Sequence, residues 1–409
     1  MAHIIFIIIT SVILFDFILE RYLDKLNSSR WCNELPKELE GIYDAEKYKK
    51  SQDYEKAKHK FSIITDTFGL FLTLLMLFIG GFAFVDSLAR TFTDNVIIIS
   101  MIFFGIIGFS FELLTIPFNI YATFVIEERF GFNRTTKKTY IFDKIKGWLL
   151  GAIIGGGLLA LIMWLYEVSG SWFWLIAWGA ISGFMIFMAM FYSSLIVPLF
   201  NKQKPLESGE LRDAIEKFAT KTGFKLNNIF VIDGSKRSTK ANAYFSGLGV
   251  KKRIVLYDTL IKDHSTEELV AVLAHEIGHY KKKHSLKGIL ISIVHTGLMF
   301  FILSLFLGNI LLDEVLGVSV SSFHIEIITF GLLYSPLSMI LGIVMNIYSR
   351  KNEYEADRFA KENYDGKALQ TALIKLSVNN LSNLRPHPLY VFFHYSHPPL
   401  LERLKALEN

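Results

Sequence analysis

Long runs of apolar residues separated by shorter polar segments dominate the sequence. Seven runs are long enough to cross about 30 Å of hydrocarbon, a distance that takes about 20 helical residues. They cover roughly residues 2–20, 61–85, 96–125, 147–166, 171–200, 286–312 and 323–349. The pattern therefore predicts an α-helical polytopic membrane protein with seven transmembrane helices.

Two polar segments after residue 200 have the patterns of a small α+β domain. Residues 208–222 show helical periodicity, and Ser265-Thr266-Glu267-Glu268 forms a capping box that starts a further helix. Runs rich in Val, Ile, Tyr and Phe predict strands at 228–232, 242–248 and 253–257. The predicted division is 1–200 with five transmembrane helices, 201–285 and 350–409 as two halves of the polar domain, and 286–349 with helices six and seven.

Composition and charge place the chain in a membrane and give it an orientation. Hydrophobic residues make up 52% of the chain and charged residues only 20%, whereas soluble domains are about a quarter charged. Ten Lys and Arg residues lie in 21–60 and six in 126–146, but the loops at the opposite helix ends hold at most one each. The positive-inside rule then predicts an N-terminus outside and a cytosolic polar domain.

The remaining composition narrows the chemistry that the chain can perform. Cys32 is the only cysteine, which excludes an internal disulfide and a cluster of metal-bound thiolates. The net charge of +5 is modest, and the basic residues flank apolar runs. We therefore expect a lipid bilayer as partner and no nucleic acid.

The candidate chemistry lies in the motif His275-Glu276-Ile277-Gly278-His279. Residues four apart on a helix share one face, so both imidazoles can reach one metal ion. Glu276 would then project beside the metal, where it can take a proton from water and deliver it to the leaving amine. The alternative is a polar helical turn whose two histidines are satisfied structurally.

A third ligand is available just beyond the last apolar run. If the sixth and seventh helices are antiparallel neighbours, Glu353 comes close to the histidine pair, and three protein ligands leave a fourth position for water. Asp357 lies one turn further on the same face and could accept a hydrogen bond from a ligand histidine. The alternative is a surface row of charges that includes Arg350 and Arg358.

Three motifs together resemble a known family. They are His275-Glu276-x-x-His279, Ser349-Arg350-x-x-Glu353-Tyr354-x-Ala356-Asp357 and Ser396-His397-Pro398-Pro399. The chain is similar over nearly its whole length to the type I CAAX prenyl proteases, which are integral-membrane zinc endopeptidases. The resemblance implies seven helices around a hydrated chamber, a zincin-like polar domain and one Zn²⁺ per chain. His275, His279 and Glu353 would hold the zinc, with Glu276 as base.

The resemblance also implies roles for two residues outside the metal site. Asn242 would bind the substrate backbone, and His397 would stabilise the tetrahedral intermediate or donate to it. Taken alone, Asn242 is equally explained as a turn residue that satisfies its own backbone. His397 without the resemblance is best explained as part of a surface turn.

The predicted function is a zinc-dependent endopeptidase that cleaves near the C-terminus of prenylated (CAAX-type) or membrane-associated peptides. Two alternatives stay open: a quality-control metalloprotease without prenyl specificity, and a transporter or channel with structural zinc. The last would need a fourth protein ligand and would not need Glu276. Because the sequence ends Leu407-Glu408-Asn409 without a retention signal, a bacterial inner membrane is favoured over the endoplasmic reticulum.

Overall fold

Helices dominate the computed structural model, which describes residues 1–224, 229–247 and 253–408. Up to residue 200 they are α1 (Ala2–Ser28), α2 (Ala45–Phe78), α3 (Gly81–Arg90), α4 (Val96–Tyr121), α5 (Lys137–Leu150), α6 (Gly156–Ser169), α7 (Phe173–Leu195) and α8 (Val197–Phe200). After it they are α9 (Glu210–Lys221), α10 (Asp258–Asp263), α11 (Thr266–Lys281), α12 (His284–Phe306), α13 (Ile310–Val315), α14 (Phe323–Asn363), α15 (Gly366–Asn379), α16 (Pro388–His394) and α17 (Leu400–Glu408). The strands are β1 (Gln203–Pro205), β2 (Ile229–Ile232), β3 (Ala243–Ser246) and β4 (Arg253–Tyr257).

Six helical segments within the described residues are long and apolar enough to cross a membrane. The fourth, Lys137–Phe200, has 64 residues and would measure about 100 Å as one straight helix, about three times the hydrocarbon thickness. The helix is interrupted at Gly170, whose φ is +51°, and the ring of Phe173 packs edge-on against Tyr166. The segment thus contains two of the seven predicted runs. The polytopic character is confirmed, and the number seven stays a prediction.

Two predicted apolar runs end earlier in the structure than their hydropathy suggests. The run predicted at 61–85 is interrupted after α2, where Gly80 has a φ of +70° and α3 begins. The run predicted at 286–312 ends with α12 at Phe306, and Gly308, with a φ of +78°, separates it from α13. Glycine reaches this left-handed backbone region without steric cost, so it ends a helix even inside an apolar sequence.

The polar domain contains a four-stranded sheet in the order β1-β2-β4-β3. β2 and β4 are parallel, while β1 and β3 pair antiparallel with their neighbours. All three predicted strands are present, although predicted positions 228 and 248 lie outside the described residues. The short β1 was not predicted, because its sequence Gln-Lys-Pro lacks apolar alternation. Within the described chain, β3 is an outer strand with one unpaired edge.

One hydrophobic cluster joins the two polar segments of the chain. It contains Ile254 and Leu256 of β4, Leu273 and Ile277 of α11, and Leu369 of α15, all nearly inaccessible to solvent. Residues from 201–285 and from 350–409 therefore pack into the same core. Burial of side chains of this size stabilises each by about 1.5–3 kcal/mol relative to exposure.

Helices α11 and α14 approach each other closely in this core. A Cβ added at Gly278 would lie 3.1 Å from both the Cα and the carbonyl oxygen of Ala356, and equally close to Cβ of Phe359. These are backbone atoms of a long helix, so they cannot move aside as a side-chain tip would. The glycine therefore sets how near α11 lies to α14.

We expect Gly278→Ala to push the two helices apart and to destabilise the fold by about 1–3 kcal/mol, the usual cost of overpacking. Gly288→Ala on α12 is the matched control, because nothing lies within 4 Å of its added Cβ. Thermal unfolding of both variants in detergent measures the difference. Equal melting temperatures for the two would show that the contact does not limit the packing.

Candidate active site

The predicted histidine pair lies on α11, whose start is fixed by its own sequence. The backbone N–H of Ser265 donates to the carboxylate of Glu268 at 2.9 Å, and the N–H of Glu268 donates to the Ser265 hydroxyl at 3.3 Å. This capping box satisfies backbone groups that would otherwise lack partners at the first turn. Two turns later, His275 and His279 share one face, with their Nε2 atoms 3.0 Å apart.

Glu353 of α14 lies directly against both imidazoles. Its Oε1 is 3.2 Å from Nε2 of His279, and its Oε2 is 3.5 Å from Nε2 of His275. Ligands bound about 2.0–2.2 Å from a tetrahedral zinc lie about 3.3–3.6 Å from one another, close to these spacings. Oε2 of Glu353 is also buried without a hydrogen bond from any described residue. This donor set fits one metal ion.

Asp357 orients the first histidine. Its Oδ1 lies 2.8 Å from Nδ1 of His275, which leaves Nε2 of that ring facing Glu353. Arg403 of α17 forms a bidentate pair with the same carboxylate, at 2.8 Å through Nε and 2.6 Å through its terminal nitrogen. Both side chains are buried, so each neutralises a charge that would be costly alone. The predicted surface row of charges is therefore not what Asp357 forms.

The second histidine has a corresponding partner in His284, at the first turn of α12. Nδ1 of His284 lies 3.1 Å from Nδ1 of His279, and its Nε2 lies 3.2 Å from the Glu355 carboxylate. Lys283 adopts a φ of +58°, which separates helix α11 from helix α12 and turns His284 back toward His279. That backbone conformation costs a non-glycine residue about 1–2 kcal/mol.

The acid–base candidates lie at the edge of the donor set. Glu276 is half-buried on α11, and its carboxylate makes no hydrogen bond to another described residue. His397 lies at the rim, with Nε2 3.4 Å from Oε1 of Glu353 and 64% of its side chain exposed. The prolines that follow it lead into α17, so the same short helix positions His397 and Arg403.

Asn242 lies where an extended peptide could pair with the sheet. It is exposed and immediately precedes β3, and its Oδ1 accepts from the N–H of Ala243 at 2.8 Å. Its carbonyl accepts from the N–H of Tyr257 at 3.1 Å. Within β3, the ring of Phe245 packs 5.6 Å from Tyr280, the residue after His279. The strand and the motif helix are therefore in contact, although Asn242 does not touch the donor set.

The surroundings of His275 favour a positive charge on its ring. Burial alone would lower the pKa of this imidazole, but the hydrogen bond to Asp357 and the nearby carboxylate of Glu353 outweigh burial and raise the pKa to about 9. At neutral pH the metal-free ring therefore carries a proton, and a metal ion would have to displace it.

Two neighbours of the site were not found from the sequence. The sequence does contain an indication of the role of Arg403. This residue lies in the buried stripe of an amphipathic helix with Leu400 and Leu407, and an arginine in such a position needs a buried partner. His284 matches no metal-ligand spacing in the sequence. Only the break at Lys283 brings it to His279.

Comparison with known proteins places these features in one family. Residues 26–202 match a family model described as "CAAX prenyl protease N-terminal, five membrane helices", and residues 205–409 match the model of peptidase family M48. The chain belongs to the CAAX prenyl protease family. Its prediction as a membrane metallopeptidase is therefore confirmed, and membership of this family implies a metal ion.

Relatives and a solved structure cover almost the full chain. CAAX prenyl protease 1 of Saccharomyces cerevisiae is 37% identical over 98% of this chain and 95% of the yeast protein. The Homo sapiens homologue is 32% identical over 92% of this chain and 89% of its own. The crystal structure of S. mikatae Ste24p superimposes with a TM-score of 0.94 at 36% identity, covering 99% of both chains. These eukaryotic relatives give no support to the expected bacterial inner membrane.

We expect Arg403→Met to weaken zinc binding by about 10–100-fold, the usual effect of removing a group that orients a metal ligand. It leaves the Asp357 carboxylate buried beside His275 without its cation. Arg212→Met is the control, since Arg212 forms an exposed pair with Glu216 on α9. Competition with a chelator measures the zinc affinity of both variants, and an unchanged affinity for Arg403→Met would show that the pair only supports the fold.

Proposed function

We propose that the chain is a zinc-dependent membrane endopeptidase that cleaves near the C-terminus of prenylated, CAAX-type substrates. The observation that carries this proposal is the convergence of His275, His279 and Glu353, whose candidate ligand atoms lie within 4.8 Å of one another. The names of the yeast and human relatives support the prenylated substrate class.

In the proposed reaction, His275, His279 and Glu353 would hold the zinc, which would supply Lewis-acid chemistry by polarising the scissile carbonyl and lowering the pKa of water. Glu276 takes the proton of the attacking water and transfers it to the leaving amine. Its lack of hydrogen bonds to described residues supports this role, because a base locked in an ion pair would be less available. Asp357 and His284 hold the two rings in the orientation that directs Nε2 toward the metal.

Substrate binding is assigned to the outer strand. An extended peptide would pair with the unpaired edge of β3, and Asn242 would hold one carbonyl of the peptide. His397, exposed at the rim and close to Glu353, would donate to the oxygen that becomes negative in the tetrahedral intermediate. The contact between Phe245 and Tyr280 supports this arrangement, because it fixes the strand against the motif helix.

We further propose seven crossings, counting Lys137–Phe200 as two, with the N-terminus outside and a zincin-like domain in the cytosol. The length of this segment and its break at Gly170 support the count. The distribution of Lys and Arg supports the orientation. The proposed domains are 1–200, 201–285, 286–349 and 350–409. The eukaryotic relatives support the endoplasmic reticulum as the membrane.

Cleavage of one C-terminal peptide in farnesylated and unmodified form, by purified protein in detergent, tests the proposal. We expect the farnesylated peptide to be cut preferentially, and Glu276→Gln to lower kcat by at least about 10²-fold while zinc remains bound. Glu276→Asp is the matched variant, since it keeps the carboxylate on a side chain that is one methylene shorter.

The other outcomes separate the alternatives. Equal cutting of both peptides would leave a protease without prenyl specificity, which is a quality-control function. Full activity of Glu276→Gln would remove the proposed base. If zinc-loaded wild type cuts neither peptide, the metal is structural and the proposed function is wrong.

A further inference from the structure

A large cavity lies among the apolar helices, away from the donor set. It has a volume of about 970 Å³, and its lining is predominantly apolar. Its walls come from α4 on one side and from α5 and α6 on the other. The lining residues with apolar or aromatic side chains are Met101, Phe104, Phe109, Tyr140, Trp148, Ala152 and Leu159.

Glycines rather than packed side chains form much of this wall. Gly105 and Gly108 line it on α4, and Gly147, Gly151 and Gly155 line it on the opposite side. A Cβ added at any of these five would meet nothing within 4 Å. These glycines are therefore not required for close helix contact, as Gly278 is, and their effect is to leave the cavity wide.

Two stretches of π-helix border the same cavity. Thr123 belongs to the π-helical turn Ala122–Glu127, which follows α4, and Gly151 begins the π-helical turn Gly151–Gly155, which joins α5 to α6. Such turns are rare, are less favourable than α-helix and occur frequently at functional sites. Both of those in the described chain contribute to one cavity, which points to a binding function.

The charged side chains that line the cavity all have partners. Nζ of Lys144 lies 2.5 Å from the Glu112 carboxylate, which the Trp148 indole also approaches at 3.4 Å. Asp143 forms a bidentate pair with Arg237, at 2.7 and 2.9 Å. Each basic group is thus already neutralised, so the site does not offer a free cation to the phosphate of a phospholipid. An uncharged apolar chain fits it better.

The polar end of the cavity adjoins the segment that leads to the proposed substrate strand. Thr135 lines the cavity, and its hydroxyl donates to the carbonyl of Arg237. Arg237 also pairs with Asp143 in the lining, and Asn242 follows five residues later. Five residues span at most about 18 Å, which is therefore the greatest distance between Arg237, at the polar end of the cavity, and Asn242, where the peptide would pair.

We propose that this cavity binds the isoprenyl chain of the substrate, with the thioether end toward Thr135 and Asp143 and the apolar end between α4 and α6. This inference rests on the proposed function for the identity of the ligand. It adds a binding site for the lipid that is separate from the metal ligands, and it assigns the glycines and both π-helical turns to that site.

Photolabelling tests the inference directly. The probe is a peptide whose farnesyl chain carries a diazirine, applied to Glu276→Gln protein in phosphatidylcholine nanodiscs so that it is not cleaved. We expect label in residues 101–112 or 140–159, displaced by excess unlabelled farnesylated peptide but not by the unmodified peptide. Gly108→Leu and Gly147→Leu, from opposite walls, should each remove the label. Gly69→Leu on α2 should retain it, because its added Cβ also meets open space but lies outside the cavity.

Kinetics provide the second readout. In otherwise wild-type protein, Gly108→Leu should lower the ratio of kcat/KM for farnesylated over unmodified peptide by about tenfold, through KM, because the leucine occupies volume that the lipid would fill. An unchanged ratio, label outside the two segments, or label that farnesylated peptide does not displace would overturn the inference and leave bilayer lipid as the occupant. Loss of the proposed function is distinguished because it removes cleavage in wild type, whereas labelling does not require cleavage.

Discussion

The close approach of α11 and α14 is the contact on which the rest of the structure depends. Gly278 lies against the backbone of Ala356, and the neighbouring turns carry His279 and Glu353. Two histidines on one helix can supply only two ligands, so the third must come from an element held at a fixed distance. The apolar core shared by residues 201–285 and 350–409 supplies that rigidity, and the long helix α14 connects it to the membrane segments.

Burying several charges beside the donor set requires each of them to have a partner. Arg403 compensates Asp357, which in turn orients His275, while His284 performs the corresponding task for His279. Because Arg403 and His397 come from the last part of the described chain, the C-terminal segment completes the site rather than covering it. Ion pairs also join the polar domain to the membrane helices: Lys240 pairs with Glu127, and Arg237 pairs with Asp143.

Much of the architecture could be predicted from periodicity, and the site from spacing. The capping box at Ser265, the strands and the shared face of His275 and His279 follow from local sequence rules. The approach of Glu353 depends instead on an antiparallel arrangement of the two helices that precede it, and Asp357 follows it by one turn. Arg403 and His284 could not be assigned, because their roles depend on how α17 packs and on the left-handed turn at Lys283. Hydropathy also could not locate the helix ends at Gly80 and Gly308, which backbone conformation decides.

We propose that one zinc ion is held by two imidazoles and one carboxylate, with a position left for water. X-ray absorption at the zinc edge, together with metal stoichiometry of the purified protein, tests it most directly. We expect one zinc per chain, with two nitrogen donors and the remaining donors oxygen, and an altered spectrum or lost metal in Glu353→Ala. A sulfur donor, four protein ligands, or an unchanged spectrum in Glu353→Ala would contradict it.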